Sequence, residues 1–171
     1  MNFQNITSSK SQYRNRLVEI FWATSVKKKG TFKNQEKEDN FRRLYFDDYF
    51  DNGSVYVVLE QKNILGYLLI VDETKSLFKN NDQLENLYLE FSSELNHFPA
   101  SLHINTDPSF QGRGVGSILI NNALLEKKIL HKDYKIHLIT HIESSNVKFY
   151  EKLKFEKHKA DSFGRLFLGL A

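Results

Sequence analysis

Between Ser101 and Ser117 the chain reads Ser-Leu-His-Ile-Asn-Thr-Asp-Pro-Ser-Phe-Gln-Gly-Arg-Gly-Val-Gly-Ser. Gly112, Gly114 and Gly116 remove three Cβ atoms from one turn, so a ligand can rest directly on main chain there. The turn opens a segment, Val115 to Leu130, in which Ile118, Leu119, Leu124, Leu125 and Ile129 recur at helical spacing. Unbonded N–H groups and the positive end of a helix dipole favour anionic oxygens at such a turn. The chemistry expected is therefore a phosphate or pyrophosphate held mostly by main chain.

Three phosphate-loop patterns compete for these residues. A Walker loop closes on Gly-Lys-Ser/Thr, and no such triplet follows. A Rossmann fingerprint, G-x-G-x-x-G, ends on Ser117 when started at Gly112 and on Leu119 when started at Gly114. It also needs an acidic residue at the end of the next strand, where Thr140 and His141 stand. The pattern that fits is Gln/Arg-x-x-Gly-x-Gly/Ala, met by Gln111, Gly114 and Gly116. It resembles the coenzyme A loop of the GNAT superfamily of N-acetyltransferases. A second stretch follows at the superfamily's distance: Asn146-Val-Lys-Phe149-Tyr150-Glu-Lys-Leu153-Lys-Phe155, similar to the signature Asn-x-x-(Ala)-x-x-Phe-Tyr-x-Lys-x-Gly-Phe. Asn146 is expected to start a short helix with Phe149 and Leu153 facing inward. Lys154 stands where the family has Gly, at a helix-ending position that favours positive φ, so a remodelled turn is expected.

What the resemblance implies can be placed residue by residue. Gln111, Gly112, Arg113, Gly114, Val115, Gly116 and Ser117 would wrap the pyrophosphate of acetyl-CoA, and Asn146 would touch the cofactor. A backbone N–H near Ile104 to Thr106 would hold the thioester carbonyl as an oxyanion donor. Tyr150 would lie near the sulfur, either as general acid for the departing thiolate or as a ring packed on the pantetheine arm. Attack would be direct, and the chain has no cysteine to carry an acyl group. A protonated amine must lose a proton before it attacks. For that step Asp72, Glu73, His103, His141 and Glu143 are the candidates. His103 has a suitable ordinary pKa, or else it is a structural histidine. Asp72 is the alternative, as an anchor for a cationic acceptor. His137 and His141 share a strand face, but further ligands for a metal are lacking, and no metal is expected.

The elements that must position these groups follow from patterning. Residues 54–61 and 64–71 read as a hairpin about Lys62-Asn63, with Gly66-Tyr67 in its second strand. Residues 83–95 carry Leu84, Leu87, Tyr88, Phe91 and Leu95 at helical spacing, a helix before the strand that holds Leu102-His103-Ile104-Asn105. Together these look similar to one superfamily branch, bacterial acetyltransferases related to the acetyltransferase-like region of some O-GlcNAc hydrolases. There the strand commonly reads His-Leu-His-Ile-Asp; here its first and last positions are Ser101 and Asn105. Residues 135–142 are the next strand. Residues 13–24 (Leu17, Ile20, Phe21) and 35–50 (Phe41, Leu44, Tyr45, Tyr49) read as two helices near the acceptor entrance. There Asp47, Asp48 and Asp51 form either a lure for a cation or a solvated helix end.

Composition agrees with one enzyme domain over residues 1–171, rich in aromatics, with 14 Phe and 8 Tyr and only 2 Pro. Without cysteine, disulfides and thiolate metal sites are excluded. The opening Met-Asn-Phe-Gln-Asn is polar and no long apolar run follows, which gives the expectation of a cytoplasmic protein without a membrane partner. Net charge is +3, and Lys127, Lys128, Lys132, Lys148, Lys152, Lys154, Lys157 and Lys159 crowd the C-terminal third. Interleaved Glu126, Asp133, Glu151 and Glu156 mark solvated faces rather than a nucleic-acid surface, though some of these lysines suit the cofactor's ribose phosphate.

The expected fold is α/β: a mixed, mostly antiparallel sheet whose parallel central strands splay, flanked by helices. The expected function is acetyl transfer from acetyl-CoA to a small-molecule or peptide amine, by a monomer or homodimer. A non-catalytic acyl-CoA-binding module, or transfer of another acyl group or to oxygen, stays open.

Overall fold

The computed structural model describes residues 1–171, the side chain of Asn80 excepted. Seven strands form one sheet: β1 (Asn2–Asn5), β2 (Ser54–Glu60), β3 (Asn63–Val71), β4 (Ala100–Thr106), β5 (Ile136–His141), β6 (Glu156–Ala160) and β7 (Arg165–Leu170), in the order β1-β2-β3-β4-β5-β7-β6. Neighbours are antiparallel in β1/β2, β2/β3, β5/β7 and β6/β7, and β4 pairs with β5 in parallel at Ala100↔Ile136 and Ser101↔His137. The mixed, mostly antiparallel sheet with a parallel pair is the expected class. The chain divides into two compact units, Met1–Ile70 with His103–Leu130, and Val71–Leu102 with His131–Ala171.

In the first unit the hairpin β2–β3 is apolar on both faces, with Val55, Tyr56, Val57, Val58, Tyr67 and Leu68 all sealed from solvent. Such continuous runs are what a strand covered on both sides requires. Its two-residue turn uses Gln61 at φ 57°, and a register shift at Val58/Leu59 bulges the ladder. The carbonyl of Leu65, the residue that the bulge leaves unpaired, accepts the Asp107 N–H (2.9 Å) and so ties β3 to the end of β4.

Helices cover this sheet. In α1 (Arg14–Thr24), Leu17, Ile20 and Phe21 are buried as their spacing predicts, with Trp22 beside them. A 3-10 turn, Thr7–Tyr13, takes the place of the helix's first expected residue. The second predicted helix is broken into α2 (Gln35–Arg42), a π segment (Arg43–Asp47) and α3 (Asp48–Asn52). A π turn inserts one residue and rotates every later side chain by roughly 100°. The core side chains after it are therefore Phe46, Tyr49 and Phe50, while Phe41, Leu44 and Tyr45 stay half-buried. The long helix α6 (Val115–Leu130) has the predicted limits, but its buried face is Val115, Leu119, Ile120, Ala123, Leu124 and Lys127. Leu125 and Ile129, expected to be inward, are 63% and 74% exposed. Lys127, expected on a solvated face, is buried with Nζ 3.1 Å from Ser54 Oγ.

In the second unit the expected single helix over 83–95 is two short ones, α4 (Asp82–Tyr88) and α5 (Ser92–His97), joined by a 3-10 turn, Leu89–Phe91. Leu84, Tyr88, Phe91 and Leu95 are still the buried positions. The break falls where the Glu90 carbonyl is drawn off to accept Lys159 Nζ. Then α7 (Val147–Lys152) follows β5. No helix among the described residues is long and apolar enough to cross a membrane.

Candidate active site

In the first unit, β4 runs into a turn and then into α6. Asp107 ends the strand; its Oδ1 accepts the Ser109 N–H (2.9 Å) and Oδ2 accepts from the Arg16 guanidinium of α1 (2.5 Å). Burial alone would raise this carboxyl, but the Ser109 N–H and the Arg16 cation outweigh it and hold it below the ordinary aspartate value. The Asx turn is legible in Asp-Pro-Ser; the arginine that locks it is 91 residues away and is not. Gly112 and Gly114 then take φ of +76° and +80°, a conformation that L side chains avoid. A Cβ at either would meet nothing within 4 Å, so the loop's outer side is open. The helical ladder begins with Ile118 N–H to Gly114 O (3.0 Å). The N–H groups of the turn before it have no intrahelical acceptor, by the geometry of any helix start. Gln111 Nε2 is 3.4 Å from the Thr106 carbonyl, and Arg113 is paired with Glu60 (3.1 Å) beside the Phe110 ring. Val115 is buried, and Gly116 and Ser117 lie in the helix's first turn.

Upstream on β4, His103, Ile104, Asn105 and Thr106 are half-buried. The His103 ring lies among Phe21 and Tyr49, with centroids 6.3 and 6.1 Å away. Its Nε2 is 3.0 Å from Asn105 Nδ2. Asn105 Nδ2 also donates to the Tyr67 hydroxyl (2.7 Å), and Asn105 Oδ1 accepts from Thr24 Oγ1 (2.8 Å). Desolvation, with no charged neighbour to offset it, lowers the His103 imidazole to about 4. A base limb in histidine's ordinary range is thereby displaced downward. Sequence reasoning singled out His103 and Asn105 but not Thr24 or Tyr67. Tyr67 is visible only as an aromatic in an apolar strand, and Thr24 only as a helix-ending hydroxyl.

The three aspartates after α2 are tied to arginines. Asp47 accepts from Arg14 (2.6 Å) and Arg42 (2.8 Å), Asp51 from Arg14 (2.7 Å) and Asp48 from Arg43 (3.2 Å). They brace the helices of this unit rather than forming an unneutralised acidic cluster.

The second unit places Asn146 and Tyr150 together. Asn146 sits at the helix's first position without capping it. Its side chain bonds the Tyr150 hydroxyl and accepts from Ser144 Oγ instead. Tyr150 is buried, edge-on to Phe149 and Phe155 (5.1 and 5.9 Å). Burial pushes its phenol up to about 12, against the Asn146 bond that lowers it. The buried positions of this helix are Val147 and Tyr150; Phe149 and Leu153, expected inward, are only half-buried. In a helix of six residues the buried face is one i, i+3 pair, Val147 and Tyr150. That turn is not remodelled. Lys154 adopts φ +70°, and Phe155 N–H to Tyr150 O (3.1 Å) with Lys154 N–H to Glu151 O (3.0 Å) complete a Schellman motif.

Asp72 is exposed and accepts from the Tyr134 hydroxyl (2.5 Å). His137 is sealed in the core, Nδ1 against the Phe98 carbonyl (2.7 Å) and Nε2 against the Tyr88 hydroxyl (3.0 Å), stacked on Phe167 at 4.5 Å. Burial takes it to about 4, against bonds from the Phe98 and Ala100 backbone. His141 is exposed and accepts the Glu143 N–H (3.3 Å). Glu73 caps a 3-10 turn through Lys75 N–H (3.3 Å). No group of three or more His, Cys, Asp or Glu able to hold a metal occurs among the described residues.

Residues 51–157 match the family model described as acetyltransferase (GNAT) domain. No curated protein sequence matches the chain. In fold it is similar to a protein named SsHAT, with TM-score 0.75 and 16% identity, covering 99% of this chain and 96% of that one. It is also similar to a Corynebacterium glutamicum protein described as histone acetyltransferase HPA2 and related acetyltransferase (TM-score 0.64, 18% identity, 98% and 94% covered). A third likeness is to a Drosophila melanogaster polyamine N acetyltransferase that forms N-acetylagmatine (TM-score 0.61, 12% identity, 99% and 98% covered).

Proposed function

The chain belongs to the GNAT acetyltransferase family, and from that premise we propose that it transfers an acetyl group from acetyl-CoA to an amine. The observation that carries this reading is the loop over residues 111–117, whose two positive-φ glycines leave bare main chain at the mouth of α6. That cradle fits a pyrophosphate. Gln111, Gly112, Arg113, Gly114, Val115, Gly116 and Ser117 are the residues proposed to hold it, with Asn146 on the cofactor and the strand N–H groups about Ile104 and Thr106 as oxyanion donors. Acetyl-CoA supplies an acyl group activated as a thioester.

The chain's own groups manage protons. Tyr150 keeps its hydrogen at Oη until about pH 12, so throughout the neutral range it is the uncharged phenol, the protonated form that a general acid needs. His103 stays in the proposal as the imidazole beside the acceptor, uncharged at neutral pH. Asp72 is proposed to hold a cationic acceptor, its carboxylate steadied by Tyr134. The acceptor class is a small-molecule or peptide amine, and a polyamine belongs in any panel because one neighbour in fold acetylates one. Nucleic acid is not favoured, because Lys127 is buried, Lys157 pairs with Glu151 (2.9 Å) and Lys159 is spent on the Glu90 carbonyl. The same reading keeps residues 1–171 as one catalytic domain of a cytoplasmic protein, monomeric or homodimeric.

Calorimetry with CoA, followed by thiol release from acetyl-CoA across a panel of amines, tests the proposal. Binding plus acceptor-dependent release is expected. No CoA binding overturns it; binding without release for any amine leaves an acyl-CoA-binding module.

A further inference from the structure

We propose, building on the acetyltransferase reading, that Asn105 is a positioning residue: its carboxamide holds His103 in one neutral tautomer, hydrogen on Nδ1, so that the imidazole meets the acceptor as a hydrogen-bond donor and not as its base. The reasoning is an inventory of donors and acceptors. A carboxamide nitrogen donates and cannot accept. Asn105 Nδ2 lies 3.0 Å from His103 Nε2; with the amide in this orientation Nε2 presents its lone pair, and in a neutral ring the hydrogen then sits on Nδ1. The reversed amide would put Oδ1 on an Nε2–H, the opposite tautomer.

The amide is held in that orientation from two sides. Thr24, in the last turn of α1, sets Oγ1 2.8 Å from Oδ1, the shortest of three contacts that share its one hydrogen (the Ile20 and Phe21 carbonyls lie at 2.9 and 3.1 Å), and the fully buried Tyr67 takes the second amide hydrogen at 2.7 Å. The strand beneath is pinned as well, because a Cβ on Gly66 would come within 2.8 Å of the Asn105 carbonyl oxygen. Charging the ring would aim an Nε2–H at an N–H donor, so protonation costs the hydrogen bond. The elements packed on the ring bring no charge to repay it: α1 contributes Phe21 and Thr24, α3 contributes Tyr49, and β3 contributes Tyr67, whose phenol burial pushes up. Desolvation lowers the imidazole in the same direction. A carboxylate at position 105 would do the reverse, accepting from Nε2–H and favouring the cation.

The test is an NMR titration of the full chain labelled with ¹⁵N-histidine, without coenzyme or acceptor. Long-range ¹H–¹⁵N correlations are expected to show protonated Nδ1 and unprotonated Nε2 for His103, unchanged across about pH 5–8, where an ordinary histidine titrates. Protonated Nε2, or an imidazolium at neutral pH, overturns the proposal. Asn105→Asp should raise the His103 midpoint by about 1–3 pH units, the effect of an opposite charge in contact, and bring a histidine limb into the rate profile. An unmoved midpoint in the folded variant overturns the proposal. Should Asn105→Asp not fold, Thr24→Val leaves the amide in place but unanchored, and a mixture of the two tautomers is expected; a single Nδ1–H form that persists overturns the anchoring. Because the titration needs no turnover, a protein that shows the tautomer yet transfers no acetyl group refutes only the activity, and one that transfers without the tautomer refutes only the role of Asn105.

Discussion

Two strand–turn–helix passages carry the signatures of this chain, β4 into α6 and β5 into α7, and they solve opposite problems. The first leaves its turn bare: Gly112 and Gly114 face open space, and the histidine on its strand bonds through one ring nitrogen to a carboxamide. The second is closed. Its histidine, His137, has both nitrogens bonded and a phenyl ring stacked on it, and its helix rests on Val147 and Tyr150. Both histidines are lowered to about 4 by burial. A depressed histidine therefore does not by itself mark a site. What separates the two is engagement: His137 is sealed from solvent with both ring nitrogens bonded, whereas His103 bonds through Nε2 and is half-buried as a residue.

The comparison breaks first at the glycine turn. Gly114→Asp should fold, since a Cβ there meets nothing within 4 Å and Asp tolerates positive φ. A carboxylate against the coenzyme phosphates costs several kcal/mol, so calorimetry should show CoA affinity reduced by about a hundredfold or more. Unchanged affinity in the folded variant would remove the ligand role of the first passage.

Replacing the two histidines tests the comparison next. His137 titrates at about 4 when folded and at 6.5 when unfolded, so the unfolded chain binds the extra proton between those values. Stability is then complete above about pH 6.5 and falls as pH drops toward 4, by about 3 kcal/mol from this group. Denaturant melts across that window should show the slope. His137→Gln should remove this slope and His103→Gln a similar one of its own, since their shifts are equal; the two variants should differ at neutral pH, where losing the bonds to Phe98 and Tyr88 costs more than losing the one to Asn105. Equal losses at neutral pH would erase the distinction drawn between them.

In the second passage the Tyr150 hydroxyl is the group proposed to move a proton. Tyr150→Phe keeps the ring among Phe149 and Phe155, so acetyl-CoA affinity should hold while the chemical step slows by roughly ten- to a thousandfold. Single-turnover rates measure this; an unaltered rate makes the second passage purely structural. The smallest effect is expected at its closing turn. Lysine in the left-handed region costs about 1–2 kcal/mol, and glycine returns about 0.5–1 of that through unfolded-state freedom. Lys154→Gly should thus raise the melting temperature by a few degrees at most, with kinetics unchanged.

Local chemistry accounts for what was readable in advance. The bounds of α6, the β2–β3 hairpin and the positive-φ demand at 154 all depend on residues a few positions apart. The family's two signatures are of the same kind, each a short stretch: alternate glycines at 112, 114 and 116, and the run from Asn146 to Phe155. Periodicity also chose Leu17, Ile20, Phe21, Leu84 and Leu95 correctly as core. It failed where a helix departs from uniform pitch: the π turn at Arg43–Asp47 moved the aromatic stripe to Phe46 and Phe50, and a diverted carbonyl at Glu90 split the helix over 83–95. It also failed on α6, where Leu125 and Ile129 have the right spacing yet nothing covers them among the described residues, while a lysine is buried.

By itself, then, the sequence determined the class of the fold, the bare glycine turn and the residues worth testing. Tertiary structure alone decided their states. Arg16 reaches Asp107 across 91 positions and Thr24 reaches Asn105 across 81. A hydrogen bond between residues so far apart leaves no periodic trace in the chain. The protonation of His103, the neutralisation of Asp47, Asp48 and Asp51 by arginines, and the sealing of His137 all depend on which side chains the fold brings within about 3 Å of one another, the range over which a hydrogen bond acts.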